Sequence, residues 1–169
     1  MIRPLGTSKE ISAALSALMI EAVDSGASVS FMHPLTPIDA ITFWEQALVC
    51  ADRGERIVLG AFEGEQLVGT VSALLDTPQN QRHRAEIVKM MTCVSHRGRG
   101  IATLLMRSVE AALIERGRTL ASLDTADDGG AAGFYEGLGY TRVGSIPDFA
   151  FKPYGGLTGA TFYYKRLSR

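Results

Sequence analysis

A chain of 169 residues with 46% hydrophobic and 21% charged side chains fits one domain with a sizeable core and is neither fibrous nor disordered in composition. Lys plus Arg (17) nearly balances Asp plus Glu (18), for a formal charge of -1, so no global field exists to hold a nucleic acid and any anion site must be local. Cys50 and Cys93 lie far apart without CxxC or zinc spacing and read as buried reduced thiols; no metal is expected, no apolar run is long enough for a membrane span, and MIRPLGTSKE lacks the apolar stretch of a secretory signal, which makes a cytoplasmic location the expectation.

Thr7 with Glu10 three positions later reads as a capping box, and Ile11, Leu15, Leu18, Met19 and Ala22 recur on one face, predicting a helix over 8–24. After Ser25-Gly26, Thr36 caps a second helix with Pro37 in its first turn; Ile38, Ile41, Trp44, Gln46 and Leu48 carry it to Asp52-Arg53-Gly54. Two β-rich runs, 56–62 and 66–75, flank Glu63-Gly64-Glu65 and predict a hairpin. A polar loop, 76–83, leads into a strand over 84–94. From Gly100, the spacing of Leu104, Leu105, Val109, Ala112 and Leu113 predicts a helix that stops at Arg116-Gly117, followed by a strand over 119–124. Beyond the Asp127 to Gly130 turn come a short helix, 131–137, and two closing strands, 140–145 and 161–167. This order implies a mixed sheet with helices on both faces. With no repeat or linker, residues 1–169 are expected to form one domain. If the strand over 161–167 lies exposed, it can pair across a homodimer.

Arg97-Gly98-Arg99-Gly100-Ile101-Ala102 sits between an apolar strand and an amphipathic helix. A helix N-terminus there offers unpaired N–H groups and a positive dipole end, the glycines let the backbone approach closely, and the arginines add charge. A diphosphate is the natural guest. GxxxxGK(S/T) is absent, and GxGxxG fails because Thr103 occupies its last glycine position, so triphosphate and dinucleotide loops are disfavoured.

The same turn resembles motif A of the GNAT superfamily of acyl-CoA-dependent N-acetyltransferases, Arg/Gln-x-x-Gly-x-Gly/Ala, through Arg97, Gly100 and Ala102. Ala131-Ala132-Gly133-Phe134-Tyr135-Glu136-Gly137-Leu138-Gly139-Tyr140 resembles the family's second hallmark, Ala-x-x-Leu/Phe-Tyr-x-x-Leu/Gly-Gly-Phe/Tyr. The segments Leu35-Thr36-Pro37 to Phe43-Trp44 and Gly155-Gly156-Leu157 to Lys165 look like the tabtoxin-resistance type. What the resemblance implies is an α/β fold of the α+β mixed kind: a central mixed, largely antiparallel sheet of about six to seven strands with helices on both faces. It further implies an acetyl-CoA-dependent transferase acting on a small-molecule amine, without metal, nucleic acid or membrane.

By the same resemblance, amides of Gly98, Arg99, Gly100, Ile101, Ala102 and Thr103, with Arg97, hold the CoA diphosphate. Met90, Met91 and Thr92 lie along pantetheine, where a bulge splays two strands and aims an oxyanion-type donor. Tyr135 matches the general acid that protonates the leaving thiolate. Glu86, sharing Met90's face by the strand's period of two, is the first candidate base. Asp124 is the second and could instead clamp a cationic substrate. Asp128 stands where many members carry asparagine at a CoA or helix-cap contact, and Val94 replaces a frequent proline. His33, His83 and His96 read as surface residues. The substrate side is assigned to the loop 28–37, the second helix with Phe43 and Trp44, and the segment 149–161, where Phe149, Phe151 and Tyr154 with nearby glycines suggest a mobile aromatic lid. A non-catalytic CoA-binding module with this fold is the alternative.

Overall fold

The computed structural model describes residues 1–168. The elements follow in the order β1 (Ile2–Pro4), α1 (Lys9–Asp24), α2 (Pro37–Asp52), β2 (Arg56–Glu63), β3 (Gln66–Leu74), β4 (Arg84–Thr92), α3 (Ile101–Glu115), β5 (Leu120–Ala126), α4 (Ala132–Gly137), β6 (Thr141–Phe151) and β7 (Leu157–Arg166). The seven strands form one sheet in the order β1-β2-β3-β4-β5-β7-β6. Only β4 and β5 run parallel, so the sheet is largely antiparallel.

The helix starts follow local chemistry. Thr36 Oγ1 accepts from the Asp39 amide at 3.2 Å, and Pro37 opens α2 as the sequence predicts. The cap of α1 differs by one residue: Ser8, not Thr7, accepts from the Ile11 amide at 3.3 Å and donates to Glu10 at 2.6 Å, while the Thr7 amide turns to Asp52. On α2 it is Ala40, Trp44, Ala47 and Leu48 that are buried; Ile38 is exposed.

The sheet separates two cores. On one face, Leu105, Met106, Val109 and Leu113 of α3 pack against Ile57, Leu59, Val71, Ala73, Ile87, Ala121 and Leu123, with Tyr135, Tyr140 and Tyr163 at one end. On the other, Leu15, Leu18, Met19 and Val23 of α1 and Trp44 and Leu48 of α2 cover Val58, Phe62, Leu67 and Met91. Trp44 is fully buried in this second core, so it packs the fold and does not face substrate. A Cβ on Gly69 would come within 3.1 Å of Leu105 Cδ1 and of the Met91 carbonyl, so glycine lets the N-terminal end of α3 lie close on the sheet.

Three expectations are corrected. β7 lies between β5 and β6, paired on both sides, and cannot offer 161–167 to a second copy; the edges are β1 and β6. β6 runs eleven residues, through Pro147 and Asp148 at a register shift between Ile146 and Ala150, so 149–151 is strand rather than lid loop. Cys50 and Cys93 are free thiols, half-buried rather than buried.

Candidate active site

β4 and β5 pair only at Arg84↔Leu120, Ala85↔Ala121 and Glu86↔Ser122, and then part. The divergence coincides with a bulge: Ser72 faces Val88 and Thr70 faces Met91, leaving Lys89 and Met90 opposite Val71 alone. Lys89 takes φ 55 there. Such a two-against-one step bends a strand and resets its alternation. Before it, Ala85 and Ile87 face α3; after it, Met90 packs on that face and Met91 on the other. Glu86 and Met90 therefore do not share a face, against the simple period of two.

Beside the gap, β4 leads through a tight turn into α3. Gly98 and Gly100 adopt φ 74 and φ 78, in the left-handed region that favours glycine. Among the described residues, no protein acceptor takes a hydrogen bond from the amides of 98–103. These bare donors converge with the dipole of a 15-residue helix. A cavity of about 400 Å³ opens at this point, lined by Met90, Met91, Thr92, Arg97, Gly98, Gly100, Ile101, Ala102 and Thr103, with Ala22, Ala27, Val29, His96 and Phe134. The fit to an elongated anionic cofactor lies in these donors and the apolar lining beyond them.

Two side chains of the sequence assignment lie outside this cavity. Arg99 is drawn to Glu63 at 2.6 Å, and the carboxylate, held also by His96 at 2.9 Å, titrates below its usual range chiefly because of Arg99. Asp128 pairs with Lys152 and accepts from Thr158, which lowers its carboxyl. Arg97 reaches Ser25 Oγ at 3.2 Å and stays at the cavity wall.

A second cavity, about 310 Å³, fills the gap between the parted strands. It brings together all three proposed catalytic residues, Glu86, Asp124 and Tyr135, with Lys89, Phe149 and Phe151. Val29 and Met90 line both cavities, and Phe134 and Tyr135 line one each. The two spaces thus meet beside α4. Tyr135 is buried at 7% exposure, its ring 5.8 Å from Tyr163 and 6.0 Å from Tyr140. Burial first, then the charge of Asp124, pushes its phenol up to about 12. It is a proton donor at neutral pH. Burial also raises the Asp124 carboxyl, against the pull of Lys89.

Lys89 is the functional candidate that sequence reasoning missed. Its Nζ donates to Ser30 Oγ at 2.8 Å and lies 5.7 Å and 5.6 Å from the Phe31 and Phe43 ring centroids. Burial, followed by repulsion from Arg56, brings its ammonium down to about 8. Nothing in the strand pattern betrays it, since only the bulge turns it into the cavity. The loop over 25–36 lends Ser28, Val29 and Ser30 to the second cavity and is tied to the β6–β7 turn: the His33 amide donates to the Pro153 carbonyl at 2.9 Å, Tyr154 Oη donates to the Asp24 carbonyl at 2.8 Å, and the His33 and Tyr154 rings stack at 4.3 Å. Tyr154 is thereby a clasp between the β6–β7 turn and α1.

The chain is similar to known proteins in sequence and in fold. Residues 20–140 match the Acetyltransferase (GNAT) family. N-acetyltransferase 8B of Rattus norvegicus is 35% identical over 96 residues, 56% of this chain and 43% of that protein. The chain thus spans less than half the length of this relative. The N-acetyltransferase from Staphylococcus aureus Mu50 superposes with a TM-score of 0.83 at 19% identity, covering 99% of this chain and 98% of that one. The yncA structure from Salmonella typhimurium, with its cofactor acetyl-CoA, gives 0.80 at 18% identity, covering 99% and 95%.

Proposed function

Because the chain belongs to the Acetyltransferase (GNAT) family, we propose that it transfers an acetyl group from acetyl-CoA to a primary amine of a small molecule, by direct attack within a ternary complex. The observation that carries this is the meeting of two cavities at Met90, with bare amides at the far end of one and three titratable residues in the other.

Acetyl-CoA supplies an activated thioester; the chain's own groups do the rest. Amides of 98–103 hold the diphosphate, and the β4 edge freed beyond Glu86 pairs with pantetheine through Met90, Met91 and Thr92. Arg97 adds charge at the wall, and Arg99 contributes its amide rather than its guanidinium. Asp124, made more basic by burial, takes the amine proton directly or through water, while Glu86 orients the ammonium. Tyr135 donates its O–H toward the leaving sulfur. The burial that lifts the phenol lifts a thiolate in the same place, so the proton is not handed to a much weaker base.

The small volume of the second cavity, about 310 Å³, suits a small acceptor better than a protein segment, as does the likeness of the chain's ends to the tabtoxin-resistance type. We place the enzyme in the cytoplasm, where acetyl-CoA and reduced thiols coexist. A homodimer on this sheet would pair along β6, the long edge. The test is free thiol released from acetyl-CoA across an amine panel. Saturable release supports transfer, whereas saturable CoA binding with no release from any amine identifies a binding module instead.

A further inference from the structure

Arg56 begins β2 on the face of the sheet that α2 covers, in the row Arg56, Leu74, Glu86, Ser122 given by the strand register. It is 9% exposed, and its Nε is buried without a partner. Among the described residues no carboxylate lies within ion-pair range and no group accepts a hydrogen bond from the guanidinium; the Phe43 ring centroid is 5.4 Å away, and the Cys50 thiol is near enough to act on the charge. Lys89 approaches the same ring at 5.6 Å and has only the neutral Ser30 hydroxyl as a hydrogen-bond partner. Two cations thus gather around one phenyl ring, neither hydrogen-bonded to a carboxylate among the described residues, although Asp124 and Glu86 act on Lys89 through space. Partly desolvated charge of this kind is unfavourable until it is directly paired, and a ligand carboxylate would supply that pairing.

The remaining charges of the second cavity are negative and lie toward the parallel pairing: Glu86 in the same row, separated from Arg56 by Leu74, and Asp124 on β5. At about 4.8 Å per strand, Arg56 and Glu86 stand roughly 10 Å apart. The cavity is therefore lined by two carboxylates, Glu86 and Asp124, and one ammonium, Lys89, with Arg56 outside the lining beside the Phe43 ring. An amine and a carboxylate on one small molecule match it end for end.

Resting on the transferase reading above, we infer that the acceptor is an amino acid, with its amine held by Glu86 and Asp124 and its carboxylate held by Lys89 with Arg56 behind it. Transfer forms the amide N–C bond and breaks the thioester C–S bond; the ammonium gives one proton to Asp124 before attack, Tyr135 gives its proton to the leaving sulfur and is restored by the second proton that leaves the nitrogen, and the acceptor's carboxylate takes no part. Lys89 and Arg56 are binding groups that decide which amines enter.

The experiment compares the common L-amino acids with their primary amides and their decarboxylated amines, reading both thiol release and calorimetric binding in the presence of CoA. At least one amino acid should exceed both analogues tenfold or more in kcat/KM, and Lys89→Gln should collapse that ratio to near unity through KM. Arg56→Lys should keep the preference and Arg56→Gln reduce it; should Arg56→Gln fail to fold, Lys89→Gln decides alone. Equal use of all three forms, or a ratio that survives Lys89→Gln, overturns the inference. If thiol is never released although CoA binds, the transferase reading fails, and binding still judges the anion site: carboxylate-dependent binding lost in Lys89→Gln upholds it, and no binding of any amino acid refutes it.

Discussion

Gly100 separates what the turn does for folding from what it does for the cofactor. It caps α3 at φ 78 and ψ 2, and a Cβ built on it meets nothing within 4 Å. Alanine there suffers only the left-handed backbone penalty, about 1–2 kcal/mol, or a Tm lower by roughly 2–8 °C for a domain of this size. Aspartate tolerates the left-handed region better and sits at the positive end of the helix, which returns about 0.3–1 kcal/mol. The apo Gly100→Asp protein should therefore melt close to wild type. With a diphosphate on the same amides, the new carboxylate faces like charge at about 4 Å, worth roughly 4 kcal/mol at an effective dielectric of 20 and about half that after screening.

Calorimetry should then show CoA affinity falling about 30- to 700-fold in Gly100→Asp. The deficit should shrink in about 1 M salt, where the screening length is about 3 Å. Acetylated pantetheine, which carries no diphosphate, should bind the variant and wild type alike. An unchanged CoA affinity, or an equal loss for acetyl-pantetheine, refutes the placement of the diphosphate at 98–103.

Tyr135→Phe keeps the ring contacts with Phe134, Tyr140 and Tyr163 and should lower kcat about 100-fold with CoA affinity unaltered; unchanged turnover removes the tyrosine as acid. Asp124→Asn should depress kcat/KM at neutral pH, and the deficit should narrow toward pH 10 as the acceptor amine deprotonates without help; a deficit constant with pH would make Asp124 a positioning group. Lys89, brought down to about 8 from 10.5, holds fewer protons folded than unfolded between those values. Its part in stability is unfavourable below pH 8 and is relieved as pH rises through that window. Denaturant titrations at pH 7 and pH 10 should show wild type gaining on Lys89→Met; parallel behaviour of the two proteins counts against a desolvated ammonium.

Much of this was legible in the chain because the signals are local. The Thr36-Pro37 start of α2, the hairpin around Gly64 and the glycine turn before α3 each depend on residues adjacent in sequence. What was hidden depends on distant partners. β1 is three residues long and becomes a strand only by pairing with 59–61. Tertiary pairing carries β6 through Pro147, which composition alone reads as a loop. Arg99 looks like a phosphate ligand until Glu63, at the end of β2, takes its guanidinium. Trp44, placed near the substrate by sequence, belongs to the α1–α2 core because the side chains around it are apolar on every side.

The bulge at Lys89 ties the two halves of the site to one backbone irregularity. With strict pairing, β4 would keep its alternation, and Met90 would face α1 and α2 while Met91 faced α3. Lys89 would then point toward α3, among Ile87, Leu105 and Val109, where an ammonium has no partner and burial is most costly. The extra residue opposite Val71 instead sets Met90 against the α3 core at the junction of the cavities and turns Lys89 toward Ser30 and Phe43. It also bends β4 from β5 just beyond Glu86, opening the gap that Tyr135 reaches from the other side of the sheet. A positive φ at a lysine costs of order 1–3 kcal/mol, and the one step that incurs it also opens the gap between β4 and β5 and sets the Lys89 ammonium in the cavity.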